Sequence, residues 1–106
     1  MKKKTPEGTG YHFKGKIWVF NGPTPWYFVT LPQKIAAEIR LFHGSLQKNF
    51  GTIRVTASVG KTTWKTSVFR DTKSDSYVLP LKAEIRKKEN LTAGKTLQVS
   101  LAIAGG

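Results

Sequence analysis

Residues 76–103, SYVLPLKAEIRKKENLTAGKTLQVSLAI, repeat a pattern that the chain has already used once. Residues 26–40 read WYFVTLPQKIAAEIR, and residues 51–60 read GTIRVTASVG. In both places Leu-Pro precedes Glu-Ile-Arg, and a stretch of alternating apolar and polar residues follows. A repeated supersecondary unit explains this pattern, because one such unit cannot bury its own hydrophobic face.

The first copy is predicted to contain two strands, a helix and a third strand. Alternation predicts strands at Tyr11–Phe20 and Thr52–Val59, and a run of apolar residues predicts another at Trp26–Leu31. Pro32 suits the first turn of a helix, where its missing N–H is not needed. The predicted buried stripe of this helix consists of Ile35, Ile39 and Phe42.

The second copy is predicted to repeat this order. Residues 61–69, 77–81 and 96–103 are its strands, and Leu81 and Ile85 are the inward residues of its helix. Five aromatic residues of the two copies are expected in the core: Trp26, Tyr27, Phe28, Trp64 and Phe69.

The two copies match face for face. Residues 16–20 (KIWVF) match 65–69 (KTSVF), and residues 52–59 match 96–103. The inward residues of this last match are Ile53 with Leu97, Val55 with Val99, Ala57 with Leu101 and Val59 with Ile103. A strand that slipped by one residue would exchange its faces, so this agreement is informative. Two such units, related by a pseudo-two-fold axis, can close a barrel and remove the sheet edges.

The predicted architecture is therefore mainly β with two short helices. One barrel domain at 11–106 is expected to contain two repeats, at about 13–60 and 61–104, after a flexible basic tail at 1–10.

Two resemblances to known families support this fold. Residues 77–101 resemble the swapped-hairpin unit of AbrB and MazE, in which a strand, Ile/Leu-Pro, a helix with a basic tail and a second strand follow one another. Those proteins form a double-split β-barrel from two chains and bind DNA. Over about 13–103, the chain resembles an uncharacterised bacterial domain-of-unknown-function family sometimes found ahead of YdeI/OmpD-type, bacteriocin-protection segments. That resemblance implies a single-chain double-split barrel formed by internal duplication, and it implies no activity.

Composition limits the classes of function. The chain has 18 Lys and Arg against 6 Asp and Glu, which gives a net charge of +12. A domain this basic is expected to meet polyanions, although the charge alone also fits a merely solvated surface. The chain has no cysteine, which excludes disulfides, thiol catalysis and cysteine-ligated zinc. No apolar segment follows the basic N-terminus, so no signal peptide is expected, and the cytoplasm is the expected location. Membrane insertion is not expected either, because no apolar run approaches the roughly 20 residues that a membrane helix needs.

No arrangement of residues predicts catalysis, a metal or another cofactor. The Gly60-Lys61-Thr62 stretch imitates the end of a P-loop but lacks the preceding glycine and the following helix, so it is expected to be a turn between strands. The histidines, His12 and His43, lie in different elements. Glu38 and Glu84 match between the copies, but each has a Lys partner on its own helix, which favours solvated ion pairs over acid–base chemistry.

The favoured function is a non-enzymatic module that binds nucleic acid, DNA in particular, in a salt-sensitive way. The candidate contact residues are Arg40, Arg86, Lys87, Lys14, Lys16, Arg54 and Lys65. The exposed face of the first strand also offers Trp18 for stacking on a base. Arginine is scarce, so contacts to phosphates are expected to dominate. The alternative is an accessory domain that binds a protein or a small ligand, and either a monomer or a homodimer fits the internal repeat.

Overall fold

The computed structural model describes residues 10–47 and 51–104. Its elements are β1 (Gly10–Phe20), β2 (Trp26–Thr30), α1 (Gln33–His43), β3 (Thr52–Val59), β4 (Thr62–Asp71), β5 (Ser76–Pro80), α2 (Ala83–Glu89) and β6 (Thr96–Ile103). A 3₁₀ turn at Gly44–Leu46 follows α1. The predicted tail at 1–10 lies outside the described residues, except for Gly10, with which β1 begins.

The six strands close into an antiparallel barrel in the order β1-β2-β5-β4-β3-β6. The ring is closed by β6, which pairs with β1 on one side (Phe13 opposite Val99) and with β3 on the other (Ala57 opposite Leu101). The prediction of a mainly β structure with a closed barrel and two helices is confirmed. Closure leaves none of these strands with an open edge.

Alternation along the strands fills the barrel with aliphatic side chains. On β3 and β6 the predicted inward residues are all buried, and so are Leu81 and Ile85 around α2. The core also contains Tyr77, which has no exposed surface. Burial of this apolar surface is the main favourable term in folding.

The two helices cover opposite ends of the barrel. β2 and β5 are antiparallel neighbours, and each leads through a proline into a helix, so α1 and α2 leave from opposite ends. Pro32 is the N-cap of α1, and its carbonyl accepts a hydrogen bond from the Ala36 amide at 3.0 Å. Asn90 is the C-cap of α2, and its left-handed backbone (φ 60°) lets the Leu91 amide donate to the Arg86 carbonyl at 2.8 Å. Of the helices in the described ranges, none has the length and apolar character to cross a membrane.

Three apolar side chains lie elsewhere than predicted. Phe42 is 68% exposed, because α1 packs on the barrel through Ala36 and Ile39 and turns Phe42 outward. Trp26 is 55% exposed and Phe69 37% exposed, since both point to the outer surface of the barrel. Tyr27 and Phe28 are half-buried, and only Trp64 of the five aromatic residues expected in the core is buried.

Candidate nucleic-acid interface

A group of aromatic side chains lies on the outside of the barrel, where β1, β2, β5 and β4 adjoin. We call it the aromatic face, and it consists of Trp18, Phe20, Trp26, Phe28 and Phe69. The aromatic face arises because successive side chains of a strand point to opposite sides. Ile17 and Val29 point inward and are buried, so their neighbours along the strand point outward. The register sets Trp18 opposite Phe28 and Phe20 opposite Trp26, which makes the rings contiguous.

The central rings of the aromatic face hold each other in fixed orientations. Phe28 lies between Trp18, at 5.1 Å between ring centroids, and Trp26, at 6.2 Å and nearly parallel (10°). The indole Nε1 of Trp18 donates a hydrogen bond to Thr30 Oγ1 at 2.8 Å. These contacts leave Trp26 with a defined orientation and a large exposed surface.

An apolar cleft of about 330 Å³ runs through the aromatic face. It is lined by Phe20, Trp26, Phe28, Phe69 and Val78. Contiguous apolar surface of this kind on a small protein commonly marks a place where something binds.

A second cavity, of about 340 Å³, lies at the end of the barrel that α2 covers. We call it the Arg86 pocket, and its aromatic and basic lining consists of Trp26, Tyr27, Trp64, Lys65, Lys82 and Arg86. Trp26 also lines the apolar cleft, so the two concavities adjoin. The described residues that line the pocket include no carboxylate.

Arg86 is held in place by two contacts. Its guanidinium carbon lies 3.8 Å from the centroid of the Tyr27 ring, which is a cation–π contact, and its Nε donates to the Leu81 carbonyl at 3.1 Å. The guanidinium group therefore has a fixed position at the wall of the pocket.

Arg40 lies in a different environment, at the end of the barrel that α1 covers. Its Nη1 is 3.7 Å from the carboxylate of Asp75, and Arg70 approaches the same oxygen at 2.6 Å. Arg70 also donates to the Ser76 carbonyl at 2.8 Å, and it lies over the Tyr77 ring at 5.9 Å. The hydrogen bond and the charge of Arg70, with a smaller contribution from Arg40, hold the pKa of Asp75 below its ordinary value.

The predicted basic residues are distributed over several surfaces. Lys14 and Lys16 point outward from β1, and Lys16 precedes Trp18 on that side of the strand. Arg54 and Lys65 point outward from the adjacent strands β3 and β4. Of the seven candidates, Lys65 and Arg86 share a pocket, whereas the exposed Lys87 is not in its lining.

The turn that imitates a P-loop already has an anionic partner. Glu89 is the last residue of α2. Its carboxylate accepts hydrogen bonds from the Lys61 amide at 3.3 Å and the Thr62 hydroxyl at 2.6 Å. Gly60 has a positive φ of 58°, which suits the tight turn between β3 and β4. The interpretation of this stretch as a turn is confirmed.

The acidic side chains of the helices behave differently from one another. Glu84 lies 3.7 Å from Lys88, as predicted, but within residues 10–47 and 51–104 no ion pair joins Glu38 to Lys34. In the same described part of the chain, no group of three or more His, Asp or Glu residues is arranged to hold a metal ion.

Sequence reasoning missed four of the aromatic and basic residues that line the Arg86 pocket: Trp26, Tyr27, Trp64 and Lys82. A signal for Trp26 was present, because alternation from the buried Val29 directs Phe28 and Trp26 outward. Lys82 gave no comparable signal, since a lysine before a helix is ordinary.

Comparison with known families places this chain. The model of a domain of unknown function, DUF1905, matches residues 13–101. The chain belongs to this family. No curated protein sequence matches it.

Proposed function

We propose that this DUF1905 domain binds single-stranded nucleic acid across the aromatic face and the Arg86 pocket. The observation that carries the proposal is that exposed aromatic rings adjoin basic side chains, with Trp26 common to both. Every base has a π-face, so bases can stack on exposed aromatic side chains while lysine and arginine contact the backbone phosphates. A net charge of +12 favours the approach of such a polyanion.

The proposed binding is tolerant of sequence. The chain has only four arginines, and bidentate arginine contacts to guanine are the commonest base-specific interaction. Two of the four, Arg40 and Arg70, already bind Asp75. Stacking and phosphate contacts therefore supply the affinity, which falls as salt increases.

The test is fluorescence anisotropy with labelled single-stranded DNA, RNA and duplex DNA over a salt series. We expect single strands to bind more tightly than duplex, because the bases of a duplex are not available for stacking. Phe20→Ala should weaken single-strand binding about 5- to 150-fold, the effect of losing one stacked base. Lys65→Ala should reduce the log–log salt slope by about 0.7.

The chain provides matched controls. Phe42 is more exposed than Phe20 but lies on α1, so Phe42→Ala should leave binding unchanged. Lys34→Ala on the same helix is the control for Lys65→Ala. Equal effects of Phe20→Ala and Phe42→Ala, or an absence of binding at low salt, would contradict the proposal.

The apolar cleft supports a second candidate, an accessory domain that binds a protein segment or a small apolar ligand. Its lining consists of four aromatic side chains and Val78. In this case selection from a peptide library should give ligands that bind the wild type and the Phe42→Ala variant but not the Phe20→Ala variant. Such binding should persist at high salt, whereas that of nucleic acid should not.

We further infer that the barrel is of the double-split kind and arose by internal duplication, as the AbrB and MazE resemblance implies. The strand order supports this inference, because exchanging β1 with β4, β2 with β5 and β3 with β6 leaves it unchanged. The registers of the strand pairs agree with this exchange. The β1–β2 pair of Ile17 with Val29 becomes the β4–β5 pair of Arg70 with Tyr77. The pairs Thr30–Val78 and Ala57–Leu101 are each exchanged with themselves.

These registers favour a different match for the first strand of each repeat. The pair of Tyr11 with Leu101, between β1 and β6, corresponds to the pair of Trp64 with Ala57, between β4 and β3. Lys16 therefore corresponds to Phe69, whereas the sequence match pairs it with Lys65. An experimental structure tests the inference: a half turn about an axis through the two self-matching pairs should superpose β1–β3 on β4–β6.

We also propose that the nucleic-acid-binding role of the domain is non-enzymatic and cytoplasmic.

A further inference from the structure

The Arg86 pocket has the size and lining of a site for a small aromatic anion. Its volume of about 340 Å³ falls at the lower end of the range for small-molecule sites, roughly 300–1,000 Å³. Trp26, Tyr27 and Trp64 provide flat apolar surfaces, and Pro25 and Pro80 contribute to the walls. Flat apolar walls of this kind are suited to a planar ring.

The basic side chains of the pocket are available for an anion. In the described part of the chain, no carboxylate lies within ion-pair distance of Lys65 or Arg86, and Lys82 meets Glu84 only at 4.0 Å, between two side chains that are each more than half exposed. Because Tyr27 and the Leu81 carbonyl already fix the guanidinium of Arg86, binding an anion there costs little further ordering. None of the described residues accepts a hydrogen bond from the two terminal nitrogens of that guanidinium.

We propose that the Arg86 pocket binds one nucleoside monophosphate unit, either a free mononucleotide or the terminal nucleotide of a strand. The base packs against the aromatic and proline walls, and the phosphate contacts Arg86, Lys65 and Lys82. This inference deepens the proposed function and rests on it, since it assigns one nucleotide of the bound strand to a defined cavity.

The tryptophans of the pocket provide the measurement. Two of the three tryptophans of the chain, Trp26 and Trp64, line it, so intrinsic fluorescence should report binding. The ligands are AMP, adenosine and inorganic phosphate, together with two otherwise identical oligonucleotides, one with a 5′-phosphate and one without. We expect AMP to give a saturable change, and adenosine and phosphate each to bind at least about tenfold more weakly, because each lacks half of the contacts.

Variants assign the contacts. Arg86→Ala and Lys65→Ala should each weaken AMP binding about tenfold, the effect of losing a hydrogen bond to a charged group. Arg40→Ala should change it less than twofold, because Arg40 faces Asp75 at the other end of the barrel. Lys65 has no assigned contact within the described residues, so Lys65→Ala keeps the test valid if Arg86→Ala impairs folding.

The oligonucleotides separate the two sources of the ligand and the two proposals. A preference for the 5′-phosphorylated strand indicates a terminal nucleotide, and equal binding of both strands together with AMP binding indicates a free mononucleotide. Binding of oligonucleotides without AMP binding overturns this inference and leaves the proposed function standing. Binding of AMP without oligonucleotides supports the pocket and overturns the proposed function, and binding of neither overturns both.

Discussion

Arg40 and Arg86 follow the same two residues, Glu-Ile, in the two helices, and yet they lie in opposite electrostatic environments. Arg40 shares the carboxylate of Asp75 with Arg70, whereas Arg86 stacks on the ring of Tyr27. A carboxylate neutralises positive charge at the end covered by α1. An aromatic ring fixes the guanidinium and leaves its charge in place at the end covered by α2. A repeated local sequence thus does not repeat an electrostatic environment when its tertiary partners differ.

The largest expected difference between the two ends is in how much stability each loses when the tyrosine beneath its arginine is replaced by alanine. Tyr77 is fully buried under Arg70, and its hydroxyl donates to Gln47 at 2.8 Å, so Tyr77→Ala should lower the free energy of unfolding by about 3–5 kcal/mol. Tyr27 is half-buried, so Tyr27→Ala should cost about half as much. Urea denaturation measures both, and equal losses would mean that the two ends are packed alike.

The second largest expected difference is between the effects of Arg86→Ala and Arg40→Ala on stability. Arg86→Ala removes the cation–π contact and the hydrogen bond to Leu81, and should lower the free energy of unfolding by about 1–2 kcal/mol. Arg40→Ala should leave the denaturation midpoint unchanged within error, because its ion pair is solvated. A larger loss of stability in Arg40→Ala than in Arg86→Ala would contradict the view that Arg86 is the more firmly held of the two arginines.

Removing the carboxylate should make the α1 end resemble the α2 end electrostatically. Asp75 has a positive φ of 53°, which asparagine tolerates, so Asp75→Asn removes the charge without new backbone strain. We expect a severalfold gain in affinity for single-stranded DNA at low salt, because Arg40 and Arg70 lose their anionic partner. In this background Arg40→Ala should weaken binding, although it should not in the wild type; anisotropy titrations of the four proteins decide.

The smallest expected effect is a dependence on pH at the Asp75 end. Because the pKa of Asp75 is lower in the folded protein than its unfolded value of about 3.9, its carboxylate stabilises the fold above that value. This contribution disappears as the pH falls through the folded pKa. Carboxyl NMR should find a depressed pKa that returns toward its ordinary value in Arg70→Met.

The matching control is Asp75→Asn, whose melting temperature should fall less than that of the wild type between pH 5 and pH 2. Identical decreases would mean that Asp75 contributes nothing to acid sensitivity.

Much of the fold could be predicted from local pattern, because β3 and β6 alternate strictly and each Leu-Pro precedes a helix. The error at Phe42 arose because helical spacing gave no weight to Ala36, whose small side chain sets the face of α1 that meets the barrel. Trp26 was assigned to the core from its hydrophobicity, against the alternation that directs it outward. Interactions such as Arg40 with Asp75 join residues far apart in the sequence, and only the folded chain brings them together.

The pairing of β1 with β6 has a consequence for the order of folding. Gly10 lies opposite Ala102, so β1 finds one of its two neighbours only when β6 is available. Until then β1 has an unpaired side, and the entropy of closing the long loop between β1 and β6 opposes this pairing. We therefore expect slow folding for a domain of this size, with β1 and β6 joining late and the β3–β4 hairpin, whose contacts are local, forming early. During synthesis we therefore expect an aromatic-rich sheet with one unpaired side to be exposed until β6 emerges.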